Sequence, residues 1–172
     1  MAQFNKTTIG KSEQWLIEAA ASIGLDFSVL CHEITSDFKR HVIKRHGNEE
    51  SEKAFGQIPV QESDFEKIPD IVNTPDYVII GAKSKGRDIL AYAKALDDIT
   101  FLYFAEVLNS KRNKTLRGKT MYKRNGPINA SQFLKIISTA RGVDITMSKI
   151  FSPGVTGSYP DFVMTADSCS KA

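Results

Sequence analysis

Cysteine is scarce in this chain: only Cys31 and Cys169 occur among 172 residues. They form no CxxC pair, and the three histidines (His32, His41 and His46) offer no zinc-ligand spacing around them. Free thiols in a reducing compartment are therefore expected. Long apolar runs are missing as well. The best stretch, residues 101–108, falls far short of the roughly 20 residues a membrane helix needs. The opening Met1-Ala2-Gln3-Phe4-Asn5-Lys6 lacks the apolar segment of a secretion signal, which makes the cytoplasm the expected location. Glycine (11) and proline (6) are too few for a collagen-like or low-complexity chain. A 41% hydrophobic and 25% charged composition excludes wholesale disorder, and a chain of this size can bury a core unaided.

Several chemical motifs are absent too. Lys83-Ser84 lies near Gly81 and Gly86, but Val78 stands where a phosphate loop needs its first glycine. There is no GxSxG elbow and no HExxH. The acidic residues of 49–70 lack the alternating ligands of a calcium loop, and a solvated face is the simpler reading of them.

What is present is uneven charge. The net charge is only +3, yet residues 39–45 carry four cations and no acid, and residues 111–124 carry seven cations and no acid. Between them, residues 49–70 hold seven acids against two lysines. A positive pole of this kind attracts polyphosphate ligands, although a solvated basic face would read the same way.

Hydrophobic spacing predicts a helix over 12–23, with Ser12 as cap, Trp15, Leu16, Ala19, Ala20 and Ile23 on one face, and Gly24 as stop. A second is predicted over 34–46, where Ile34, Phe38 and Val42 are four apart, Ser36 or Thr35 caps and Gly47 ends it. A long polar connection follows, with a short helix at 62–68 stopped by Pro69. The period then changes to strands over 77–82, 88–96, 100–108 and 116–124, joined by short turn-forming links. A last helix, 130–140, is capped by Asn129 and stopped by Gly142. The expected fold class is α+β: N-terminal helices packed on a four-stranded antiparallel sheet, one further C-terminal helix and an irregular tail.

Two clusters carry candidate chemistry. In His41-Val42-Ile43-Lys44-Arg45-His46-Gly47, two histidines and neighbouring cations suit acid–base work on a phosphate ester. His46 lies five residues beyond His41, about 140° round a helix, so Gly47 has to redirect it if the two are to meet. In Leu116-Arg117-Gly118-Lys119-Thr120-Met121-Tyr122-Lys123-Arg124, Thr120 and Tyr122 share one strand face while Lys119, Met121 and Lys123 share the other. Gly118 marks a candidate bulge that could re-aim the residues after it.

Taken in order, these clusters together with Gly56-Gln57-Ile58-Pro59-Val60, Asp64, Ile68-Pro69-Asp70-Ile71-Val72 and Pro75-Asp76 give the chain its resemblance. Over about residues 41–124 it resembles the phage-associated branch of the barnase–EndoU–colicin–RelE-like (BECR fold) nucleases. The resemblance implies one BECR-like domain over 1–150, with 151–172 a partly ordered tail. It implies a metal-independent endoribonuclease, without cofactor, that cleaves RNA by 2′-hydroxyl attack through a cyclic phosphate. His41 and His46 would be base and acid in either order, with Thr120 donating a hydrogen bond. Arg45 and Lys123 would hold the phosphate, Tyr122 would help or stack on a base, and Lys119 and Arg117 would add substrate contacts. RNA, tRNA or another structured RNA included, would be the partner, together with a phage or host protein, and no membrane. Location would be the host-cell cytoplasm, reached from the virion or by synthesis there, as for toxin-like effectors. The alternative is a catalytically silent phage-derived module that binds nucleic acid or a host protein. One conflict is visible already: a regular strand cannot aim Thr120 and Lys123 at one site.

Overall fold

The computed structural model describes residues 6–140 and 142–153. Their strands are β1 (Lys6–Lys11), β2 (Cys31–Thr35), β3 (Gln57–Ile58), β4 (Tyr77–Ser84), β5 (Arg87–Leu96), β6 (Ile99–Asn109), β7 (Lys114–Asn125), β8 (Val143–Asp144) and β9 (Lys149–Phe151). The α-helices are α1 (Gln14–Ala21), α2 (Ser36–His46), α3 (Glu49–Ala54), α4 (Ile68–Asn73) and α5 (Ala130–Ser138), with a 3₁₀ helix at Glu62–Lys67. The class is α+β, as expected.

The four predicted strands are β4 to β7, and they do form an antiparallel meander. Lys85 and Gly86 turn β4 into β5, and Asp97 and Asp98 turn β5 into β6, all four with positive φ. Two-residue turns of that kind match the twist of paired strands. The expectation of a four-stranded sheet is corrected, because the sheet runs β1-β2-β7-β6-β5-β4-β8, with β3 added beside β7 and β9 beside β4. The extra strands are short, and β2 hides in the sequence because Ile34 continues the helical spacing of Phe38 and Val42. Thr35 ends that strand and caps α2, its hydroxyl accepting from the Phe38 amide at 3.0 Å.

Other boundaries shift for local reasons. Ser12 does not cap α1, since its hydroxyl donates to the Leu30 carbonyl. Pro69 does not stop a helix but sits in the first turn of α4, where a missing amide hydrogen costs nothing. Part of the polar connection is itself helical, as α3. Asn129 caps α5 as expected, exchanging hydrogen bonds with Gln132. Cys31 is disulfide-bonded, contrary to the free thiol expected of it. That expectation came from compartment and spacing, neither of which senses the fold. Cys169 and the remainder of the tail from residue 154 lie outside the described residues.

Both faces of the central strands are covered, so their sequences are apolar on both sides. On one face α1, α2 and α4 pack Trp15, Leu16, Phe38, Val42, Ile68 and Ile71 over Ile80, Tyr92 and Tyr103. On the other, α5 sets Phe133 and Ile137 on Ile79, Ala91, Leu102 and Phe104. Emptying either site, as in Phe133→Ala, costs about 3–5 kcal/mol.

Candidate active site

The site grows from a break in one strand's edge. β2 runs parallel to Thr115, Leu116 and Arg117 of β7, and β3 pairs antiparallel with Lys123 and Arg124 on the same edge. Residues 118–122 lie between those two pairings. Opposite them, β6 sees a register shift: Ala105 faces Gly118 and Phe104 faces Thr120, which leaves Lys119 as the extra residue of a bulge. Gly118 permits close approach of α2, because a Cβ there would meet the Phe38 ring at 3.2 Å and the Tyr103 hydroxyl at 2.8 Å.

The bulge sorts the side chains of β7 by face. Met121 joins the core under α2, whereas Tyr122 packs against Phe104 in the cluster under α5. Lys123, two residues from Met121, is likewise on the α2 face. Its ammonium is buried against Asp64 at 2.8 Å and lies over the Phe101 ring. The structure does not bring Lys123 beside Thr120: the two leave the strand on opposite sides, and Asp64 holds the lysine.

At the end of α2, Phe38, Val42 and His46 are each four residues apart, which carries His46 to the sheet-facing stripe. Its Nδ1 is 3.1 Å from Glu52 Oε1 of α3, and Glu52 is buried. The imidazole lies on the Tyr122 ring with centroids 5.3 Å apart, and Tyr122 in turn stacks on Phe104 at 5.9 Å. Burial pushes the Tyr122 hydroxyl up to about 12; Arg124 opposes this and Glu52 adds to it. Tyr122 thus keeps its proton near neutrality and can donate. Two residues away on the same face, the Thr120 hydroxyl is buried with no hydrogen-bond partner, a state that costs free energy unless something else completes it.

His41, one turn back on α2, is exposed. Partial desolvation, followed by the charges of Arg45, His46, Lys119 and Lys44, holds its imidazole below the ordinary histidine range. Gly47 does not turn His46 toward His41, because His46 stays within α2; the two histidines, with Arg45 and Lys119, are linked through charge alone. Arg117 shares the Thr120 face but pairs with Glu33 at 2.9 Å, which offsets its charge. Among the described residues, no three His, Cys, Asp or Glu side chains converge to hold a metal ion. No described helix is long and apolar enough to cross a membrane.

Glu52 is the site residue the sequence did not reveal. It sat in an acidic run that reads as solvated, and only its place six residues after His46 hinted otherwise. Asp64, already quoted for the resemblance, lies in the same run, but its pairing with Lys123 was not legible there. Set beside known proteins, the chain matches no curated protein and no solved structure. A family model for phage-associated nucleases does match residues 10–131, which include every element of the site. The chain belongs to that family, PBECR3, the phage-Barnase-EndoU-ColicinE5/D-RelE like nuclease3 group.

Proposed function

We propose that the protein is an endoribonuclease that cleaves RNA without a metal ion, by attack of the 2′-hydroxyl on the adjacent phosphate. The observation that carries this reading is the buried Glu52 carboxylate beside His46 Nδ1, with His46 lying on Tyr122 at the break in the sheet edge. A carboxylate on Nδ1 fixes the tautomer and ring direction, which leaves Nε2 for substrate.

The roles divide by environment. His41, its pKa lowered by partial desolvation and then by the surrounding cations, is neutral at pH 7 and takes the 2′-hydroxyl proton. The 2′ oxygen then bonds to phosphorus as the bond from phosphorus to the 5′ oxygen breaks. His46, held by Glu52, gives that 5′ oxygen its proton. Arg45 and Lys119 offset charge on the phosphorane-like transition state, and the Thr120 and Tyr122 hydroxyls donate to its oxygens. The products are a 2′,3′-cyclic phosphate and a 5′-hydroxyl. RNA, structured RNA such as tRNA included, is the substrate, and the host-cell cytoplasm is the place of action.

The test is incubation of labelled RNA with purified protein in EDTA, with end groups read by mass spectrometry. Cyclic-phosphate ends from RNA, and no cleavage of the same sequence in DNA, support the reading. Binding of RNA without cleavage would replace it with the catalytically silent module.

A further inference from the structure

Arg124 continues the line of Thr120 and Tyr122 along the same face of β7, about 7 Å beyond Tyr122 by strand geometry. Its Nε is buried and has no hydrogen-bond partner, and no carboxylate pairs with its guanidinium among the described residues. Beside it opens a cavity of about 340 Å³, walled on the other side by Gln132, Lys135, Ile136 and Thr139 of and just after α5. No acid lines this cavity, while a cation stands on each wall.

The remaining polar groups are mostly committed. The Gln132 carbonyl oxygen accepts from the Asn129 amide, so only its NH₂ faces outward as a donor. The Thr139 hydroxyl donates to the α5 carbonyls of Lys135 and Ile136. A pocket of donors and cations, with an orphaned guanidinium N–H, matches an oxyanion with several acceptor oxygens. Arginine is the residue best shaped to grip one.

We infer that the cavity between Arg124 and Lys135 is a subsite for a phosphate of the RNA strand, one nucleotide from the phosphate that is cut. The identity of the ligand rests on the endoribonuclease reading; the subsite itself rests on the cavity and its unpaired cations. Arg124 and Lys135 would contribute affinity for longer RNA and set which end of the strand runs toward α5.

The test uses non-cleavable 2′-O-methyl dinucleotides with no terminal phosphate, a 5′-phosphate or a 3′-phosphate, and measures their affinities by fluorescence or calorimetry. For the parent protein, one of the two terminal phosphates should strengthen binding about tenfold, as a charge-assisted hydrogen bond does. Arg124→Gln should abolish that gain. Lys135→Gln, a change on the exposed side of a helix, should reduce it and guards against a folding defect in the first variant. The idea is overturned if neither terminal phosphate strengthens binding, or if the gain survives both substitutions. Cleavage of matched RNA is followed in parallel. Cleavage without any phosphate gain refutes the subsite alone, whereas the gain without cleavage keeps the subsite and refutes the ribonuclease reading.

Discussion

Lys123 and Asp64 meet at 2.8 Å on the α2 face of the sheet, with Lys123 8% and Asp64 5% exposed at the side chain. Thr120 leaves the same strand on the opposite face. The lysine thereby belongs to a buried ion pair, away from Thr120. Asp64→Ala strands a buried ammonium and should lower stability by about 3–5 kcal/mol, read by denaturant unfolding. RNA cleavage by the folded fraction should follow the parent.

The same pair gives stability an acid limit. Burial raises the Asp64 carboxyl, but the Lys123 hydrogen bond, the Gln61 amide and the charges of Lys123 and Lys67 outweigh it, and the net pKa lies below the ordinary 3.8. A carboxyl lowered in the folded state contributes stability that is complete above its unfolded value and is lost as pH falls through the folded one. Asp64→Asn should therefore flatten the stability curve below about pH 4. An unchanged acid limb in that variant would show that other groups set it.

A second pH effect belongs to catalysis. With His41 held below the ordinary histidine range, the acidic limb of kcat/KM should lie below pH 6.5. The double variant Arg45→Gln, Lys119→Gln removes two positive neighbours, so the limb should move upward. A limb that stays in place would remove His41 from the role of base.

Thr120 separates structure from chemistry. Its hydroxyl is buried and unpartnered, so Thr120→Val should leave thermal stability unchanged or slightly raised. Cleavage should fall about 10²-fold, the scale of losing one donor to the charge that develops in the transition state. Full activity in a folded Thr120→Val protein would make the buried hydroxyl a packing feature only.

The residues explain how far the sequence could be read. The meander β4 to β7 was legible because two-residue periodicity and turn formers repeat there, and α5 because Asn129 stands at its start as a cap and Gly142 follows it as a stop. β2 was not, because Ile34 serves a strand while sitting at helical distance from Phe38 and Val42. His41 and His46 were found as the densest chemical cluster in the chain. Glu52 was missed, and the partner of Asp64 was not foreseen although Asp64 itself carried part of the resemblance, because an acid that pairs with a histidine or lysine through the fold looks the same in sequence as one facing water. The conflict between Thr120 and Lys123 was visible from strand alternation alone; its resolution needed the buried pairing of Lys123 with Asp64. The bonded state of Cys31 lay beyond reach, since neither composition nor compartment senses the fold.

The pairing of His46 with Glu52 is the centre of the account, and its most direct test is single-turnover RNA cleavage in EDTA by parent, His46→Ala and Glu52→Gln proteins of verified fold. Losing a general acid should slow His46→Ala by about 10²-fold or more. Glu52→Gln, which keeps the contact but not the charge, should slow cleavage by a smaller factor. Parental rates in both folded variants would contradict the assignment outright.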